Sequence, residues 1–182
     1  KGDPKEKEKA PEVIASLPGG LYSSNVTVSL QFRSPSPRDT LRFTLDGEAP
    51  QATSALYQAP IAITNTTLLR WRSFHGSVPG SFGSAHYTLL DPSLESFSSP
   101  LPVVIIDTCG LELNRDVKHL VSLQLLGKPG QRTALNNAAS ENNGMAMVNI
   151  RGRASLRYPK RSFTVKLIDD EGEDRAASLA GM

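Results

Sequence analysis

Cysteine is all but missing from this sequence: Cys109 is the only one in 182 residues. One thiol cannot close a disulfide within the chain, and no Cys/His grouping has metal-site spacing, so no metal ligand is assigned. Aromatic residues are scarce at 6%, with a single tryptophan, Trp71. The three histidines, His75, His86 and His119, are scattered, and no Ser/His/Asp arrangement is visible, so no catalytic residue is assigned. No stretch approaches the length of about 18 apolar residues that a membrane-spanning helix needs. Neither sign of charge dominates: 20 basic residues face 18 acidic ones, for a net +2, which gives no bulk electrostatic footprint for nucleic acid. No signal-peptide pattern follows Lys1, and the chain is expected to be a segment of a longer protein.

What the sequence does have is turn formers and short alternating runs. Hydrophobic residues make up only 38%, and Ser, Thr, Asn, Pro and Gly fill the difference, which suits many short strands better than long helices. Residues 1–10 carry alternating Lys and Glu with nothing to bury and read as a charged linker. Residues 11–89 read as an antiparallel sandwich of the immunoglobulin-like kind. Val26 to Phe32 alternates with period two, as do Leu41 to Leu45, Leu68 to Phe74 and Ala85 to Leu89. Asp46-Gly47 marks a turn and His75-Gly76 a hairpin tip.

Residues 90–100, with Asp91-Pro92 and four serines, read as a flexible polar link. Residues 101–182 then supply a second, partial sheet, mostly antiparallel. Its opening run, Leu101 to Asp107, has consecutive β-branched residues that predict a strand buried on both faces. Lys118 to Leu126, Met145 to Arg151 and Ser162 to Ile168 are the further strands, with Asn143-Gly144 expected as a turn. Asp169 to Gly172 turns the chain again, and the acidic group that runs on to Asp174 is expected to be solvated. Cys109 is expected to be an inert small hydrophobe.

Two places hold candidate chemistry. Trp71 is expected to pack in the core or at an edge; the sharper alternative, a stacking platform for a glycan, requires an exposed flat face. Arg151, Gly152, Arg153, Arg157, Lys160 and Arg161 form a basic stretch that no carboxylate interrupts. Guanidinium forks suit phosphate oxygens and glycine allows close backbone approach, so a phosphate cradle stands beside the plainer reading of a solvated loop.

Pro18-Gly19-Gly20-Leu21-Tyr22, then Thr44-Leu45-Asp46-Gly47-Glu48-Ala49-Pro50, then Ser54 to Tyr57 and Pro60-Ile61, resemble the C-terminal sandwich of chitobiases and fibronectin-III-associated modules of secreted bacterial proteins. Leu101-Pro102-Val103-Val104, Ile150-Arg151-Gly152-Arg153-Ala154-Ser155, Pro159-Lys160-Arg161-Ser162-Phe163 and Lys166-Leu167 resemble the opening of a CotH kinase-like domain. Arg153 and Ala154 depart from that pattern. The second resemblance implies a truncated kinase-like lobe whose parent transfers phosphate from ATP to protein Ser/Thr. Lys160 would be an α/β-phosphate contact, and ATP with a divalent metal the cofactors of the intact parent. The fragment itself would be inactive and hold no cofactor, because the family's catalytic carboxylates lie further along. The alternative is a non-catalytic anchoring or carbohydrate-binding module facing a cell-surface polysaccharide. Either way the implied location is extracellular or on the cell surface.

Overall fold

The computed structural model describes residues 10–128, 130–135, 140–153 and 157–176. The Lys/Glu run before Ala10 and the substitution at Ala154 lie outside the described residues. The fold is mainly β, with several mostly antiparallel sheets and no closed barrel. Nine strands build the sandwich: β1 Val13–Ala15, β2 Gly20–Tyr22, β3 Val26–Val28, β4 Leu30–Phe32, β5 Asp39–Thr44, β6 Ala55–Leu56, β7 Ile61–Ile63, β8 Thr67–His75 and β9 Val78–Leu89. One layer is a five-stranded sheet in the order β2-β9-β8-β5-β6, antiparallel except for β2 beside β9. The other consists of the pairs β1-β4 and β3-β7.

Period-two alternation sends Leu69 and Trp71 of β8 and Tyr87 of β9 inward, where they meet Val28, Leu30, Leu41, Ile61 and Ile63. Burying each large side chain there contributes about 1.5–3 kcal/mol. The run Val26 to Phe32 is broken in two: Val28 pairs with Ile61, whereas Leu30 pairs with Ala15. Ser29 sits at the change of partner, its N–H donating to Ser16 Oγ at 2.9 Å and its carbonyl accepting from Ser16 N at 2.8 Å. Strict alternation cannot reveal such a switch, because the side-chain pattern continues through it. The Asp46-Gly47 turn forms as expected, with Glu48 N donating to Asp46 Oδ1 at 3.0 Å and Gly47 at φ 82°.

The chain from 90 to 100 is ordered rather than a plain flexible link. Asp91 caps a 3₁₀ turn at Pro92–Leu94 by accepting from Ser93 N, and β10, Ser98–Ser99, pairs with β13, Thr133–Ala134. The second sheet has the order β11-β12-β14-β15, all antiparallel: β11 Val103–Asp107, β12 His119–Leu126, β14 Ser140–Arg151 and β15 Ser162–Ile168. The strand buried on both faces is β12, where Val121 to Leu126 are all buried. β11 is an edge strand with Val104 54% exposed. Four β-branched residues in a row therefore mark an edge here; only neighbours on both sides bury both faces. Asn143-Gly144 is no turn: the two residues pair with Gln124 and Leu123 inside β14. A Cβ on Gly144 would stand 2.8 Å from Arg175 Nη2, so this glycine serves a close approach.

The two halves are stacked. The outward residues of β8 and β9, namely Leu68, Arg70, Ser84, His86 and Thr88, lie under the second sheet. Leu68 packs with Met145 and Ile168, flanked by Cys109, Leu120 and Met147. The molecule is thus three layers of strands, and the five-stranded sheet is the middle one.

Candidate functional site

The basic residues cluster on the β14–β15 connection. Register sets Arg151, the last residue of β14, opposite Ser162, the first of β15, so Arg151 and Arg161 come to the same end of the sheet. Arg151, Gly152, Arg153, Arg157, Lys160 and Arg161 are all exposed, and Gly152 takes φ 94°. Residues between Arg153 and Arg157 lie outside the described ones. None of the six lines any of three surface hollows, of about 650, 280 and 570 Å³. Among the described residues, the six cationic and glycine positions stand exposed on the β14–β15 connection.

Trp71 is 8% exposed and belongs to the sandwich core. Its indole lies over Gly83, where a Cβ would stand 2.4 Å from the ring. Its edge reaches the 650 Å³ hollow between Val13, Arg33 and Phe82, but neither ring face is presented to solvent as a stacking platform would need.

The densest polar chemistry lies between the layers, where the sequence pointed to nothing. His86, 2% exposed, donates from Nε2 to Asp107 Oδ2 at 2.9 Å. Its Nδ1 lies 2.8 Å from Gln124 Nε2 and 3.2 Å from Thr88 Oγ1, and Gln124 Nε2 also donates to Thr88 Oγ1 at 2.8 Å. The hydrogen bond from His86, aided by the backbone N–H of Cys109, holds Asp107 below the ordinary carboxylate value despite its partial burial. Cys109 itself is pushed up to about 11, by burial first and then by Asp107 and Asp46. It therefore stays a thiol at neutral pH.

Arg70 makes the second bridge. It is 7% exposed, donates to Gly47 O at 3.2 Å and reaches Asp170 O at 2.7 Å. Burial lowers its pKa, opposed by Asp170, Glu48 and Glu171. Ser84 Oγ donates to Asp170 Oδ1, and Phe82 N to Glu171 Oε1 at 3.2 Å. Arg72 stacks on the Phe82 ring, 4.0 Å from its centroid. The acidic turn is accordingly only part solvated: Asp169 accepts from Glu171 N and Glu173 N to shape it, and its next two residues clamp the sandwich.

Residues 17–82 match the family model of the chitobiase/beta-hexosaminidase C-terminal domain. The matched stretch runs from just before β2 into β9 and so covers most of the sandwich. Its turn at Asp46-Gly47 and its tyrosines act as the fold requires: Tyr57 OH accepts from Leu30 N at 3.0 Å, and Tyr22 OH donates to Pro18 O at 2.6 Å. Gly19 of the same segment serves a close approach, since a Cβ there would meet Asn143 Nδ2 at 2.7 Å and the His86 backbone at 2.9 Å. No curated protein and no solved structure matches the chain.

Proposed function

We propose that this chain is a non-catalytic platform. In this reading, an accessory sandwich of the chitobiase type holds the four-stranded sheet, and the domain that sheet begins, in one orientation on an extracellular or cell-surface bacterial protein. The supporting observation is the filled interface: Leu68, Arg70, Ser84 and His86 of the sandwich are all engaged by the second sheet and its acidic turn. A sandwich that swung on a loose tether would leave that face to water. The family's name ties such sandwiches to chitobiase and beta-hexosaminidase, which makes a carbohydrate-associated parent and a cell-surface polysaccharide the partner class for this reading. Trp71 is the only tryptophan and reports on the sandwich alone, whereas far-ultraviolet dichroism reports both halves. In urea the two signals are expected to change together. A Trp71 transition well separated from the dichroism transition would end the platform reading.

A second reading has one observation in its favour: exposed cations grouped about Gly152, a charge arrangement that fits a polyanion. The parent would then be a CotH-type protein kinase acting on protein Ser/Thr, with Arg151, Arg153, Arg157, Lys160 and Arg161 receiving ATP phosphates. No group of three His, Cys, Asp or Glu able to hold a metal occurs among the described residues, so the divalent ion would not be held by these. Nucleotide titration of the intact parent tests this, with Lys160→Ala expected to weaken binding by about tenfold through loss of a charged phosphate contact. Unchanged affinity would rule out the cradle.

A further inference from the structure

Charge is nearly balanced over the whole chain but sorted along the second sheet. Asp169, Glu171, Glu173 and Asp174 stand beyond the end of β15, all exposed. Arg157, Lys160 and Arg161 stand before its start, beside Arg151 and Arg153 at the end of β14. The 7 residues of β15 separate the two groups, a length of about 23 Å. That is more than twice the screening length of about 8 Å at physiological salt. The carboxylates at one end therefore do not neutralise the cations at the other.

The basic end is wider than the β14–β15 connection alone. Ile150 N donates to Asn114 O at 2.9 Å, and Asn149 Nδ2 donates to Arg115 O at 2.8 Å. These bonds draw the chain that leads into β12 against the end of β14. Asn114 shapes that chain, its Oδ1 accepting from Asp116 N at 3.0 Å and Val117 N at 2.8 Å. Continuing the register places Lys118 level with Asn149, just as it places Arg161 level with Gly152. Lys118, Arg151 and Arg161 thus come from three adjacent strand ends, which span about 10 Å. Charges within about one screening length act together on a ligand. Asp116 holds Arg115 at 3.3 Å, and Glu112 is the other carboxylate of the first connection. Lys118 is exposed and joins the five cations of the second connection.

An aromatic ring stands among these cations. Tyr158, between Arg157 and Lys160 in the chain, is 67% exposed. The other three tyrosines serve the sandwich, each hydrogen-bonded to backbone through its hydroxyl. A ring as bare as Tyr158 adds little to any core, and its apolar face suits the face of a sugar ring. We propose that this end of the second sheet binds an acidic polysaccharide, a chain of sugar rings that carry carboxylates. The cations receive the acid groups, and Tyr158 packs against a ring. Repeating acid groups match charge spread over three strand ends better than one small anion does. The chitobiase-type sandwich ties the partner class to carbohydrate and not to nucleic acid. The inference rests on the polysaccharide partner of the platform reading, and gives that partner a place and a charge.

The test is binding of the full 182-residue chain to four polymers of matched length. These are polygalacturonate, polyacrylate (carboxylates without sugar rings), neutral dextran and oligothymidylate. Polygalacturonate is expected to bind, more weakly as salt is added, and dextran not to bind. The sugar ring should make polygalacturonate about fivefold tighter than polyacrylate or oligothymidylate. Tyr158→Ala should remove that advantage and leave polyacrylate unchanged. Lys118→Glu with Arg161→Glu should weaken both carboxylate polymers by about tenfold. All three side chains are exposed and outside the strand ladders, so both variants keep the fold. Polygalacturonate that does not bind, binding that survives both variants, or a preference for polyacrylate or oligothymidylate would overturn the proposal. Lost binding with joint unfolding of the two halves would sink the site alone; separate unfolding with binding retained would sink the platform alone.

Discussion

Single residues carry much of the specificity of this fold. Gly83 is there because Trp71 needs its space. Gly83→Ala forces the ring or the strand to move and should cost about 1–3 kcal/mol, visible as a lower thermal midpoint and an altered Trp71 emission. Asp107 sets an acid limit. Its carboxylate is held below the ordinary 3.8 by His86, so the folded state gains from its ionisation at all pH values above that. The gain disappears as pH falls through 3.8 toward the lowered value. Asp107→Asn should therefore flatten the acid side of the stability profile, followed by urea unfolding at successive pH values. A profile as steep as that of the wild type would show that the His86 contact does not contribute.

At the scale of elements, the acidic turn after β15 behaves as a clamp. Asp170→Ala with Glu171→Ala removes the acceptors for Ser84 Oγ and Phe82 N, while leaving Asp169 to shape the turn. Loss of about 1 kcal/mol is expected, together with faster amide exchange at Phe82 to His86 and no change in the β1-β4 pair. Strand positions were largely legible in the sequence, because period-two runs such as Val26 to Phe32 alternate covered and exposed residues, whereas Leu68 to Phe74, covered on both faces, is buried almost throughout. Partners were not. The alternation of Val26 to Phe32 gives no sign that it changes sheet at Ser29, and Asn143-Gly144 has turn chemistry but sits opposite Gln124 and Leu123. Pairing is decided by residues far along the chain, which local propensity does not see.

For the whole molecule, the three-layer stacking redraws the boundary that composition implied. The polar link at residues 90–100 suggested two independent units. Yet Leu68 and His86 are each only 2% exposed, and residues from the second sheet supply much of that cover. The interface was invisible in the sequence because Arg70, Ser84 and Asp170 each look like surface residues, and only their convergence buries Arg70 and half-buries the other two. An excised sandwich, residues 10–89, is expected to unfold at lower urea than the sandwich within the full chain, monitored by Trp71 fluorescence. Equal midpoints would mean that the third layer adds nothing to its stability.

The bond from Arg70 to Asp170 joins positions 100 apart in the chain. A ribosome releases the first long before the second. Until the later residue emerges, the nascent sandwich has Gly47 alone to receive that guanidinium, and Leu68 faces water. The order of biosynthesis thus opens an interval in which the half-built protein presents an adhesive surface, and whatever shelters nascent chains in the cell would find its target on the outward side of β8.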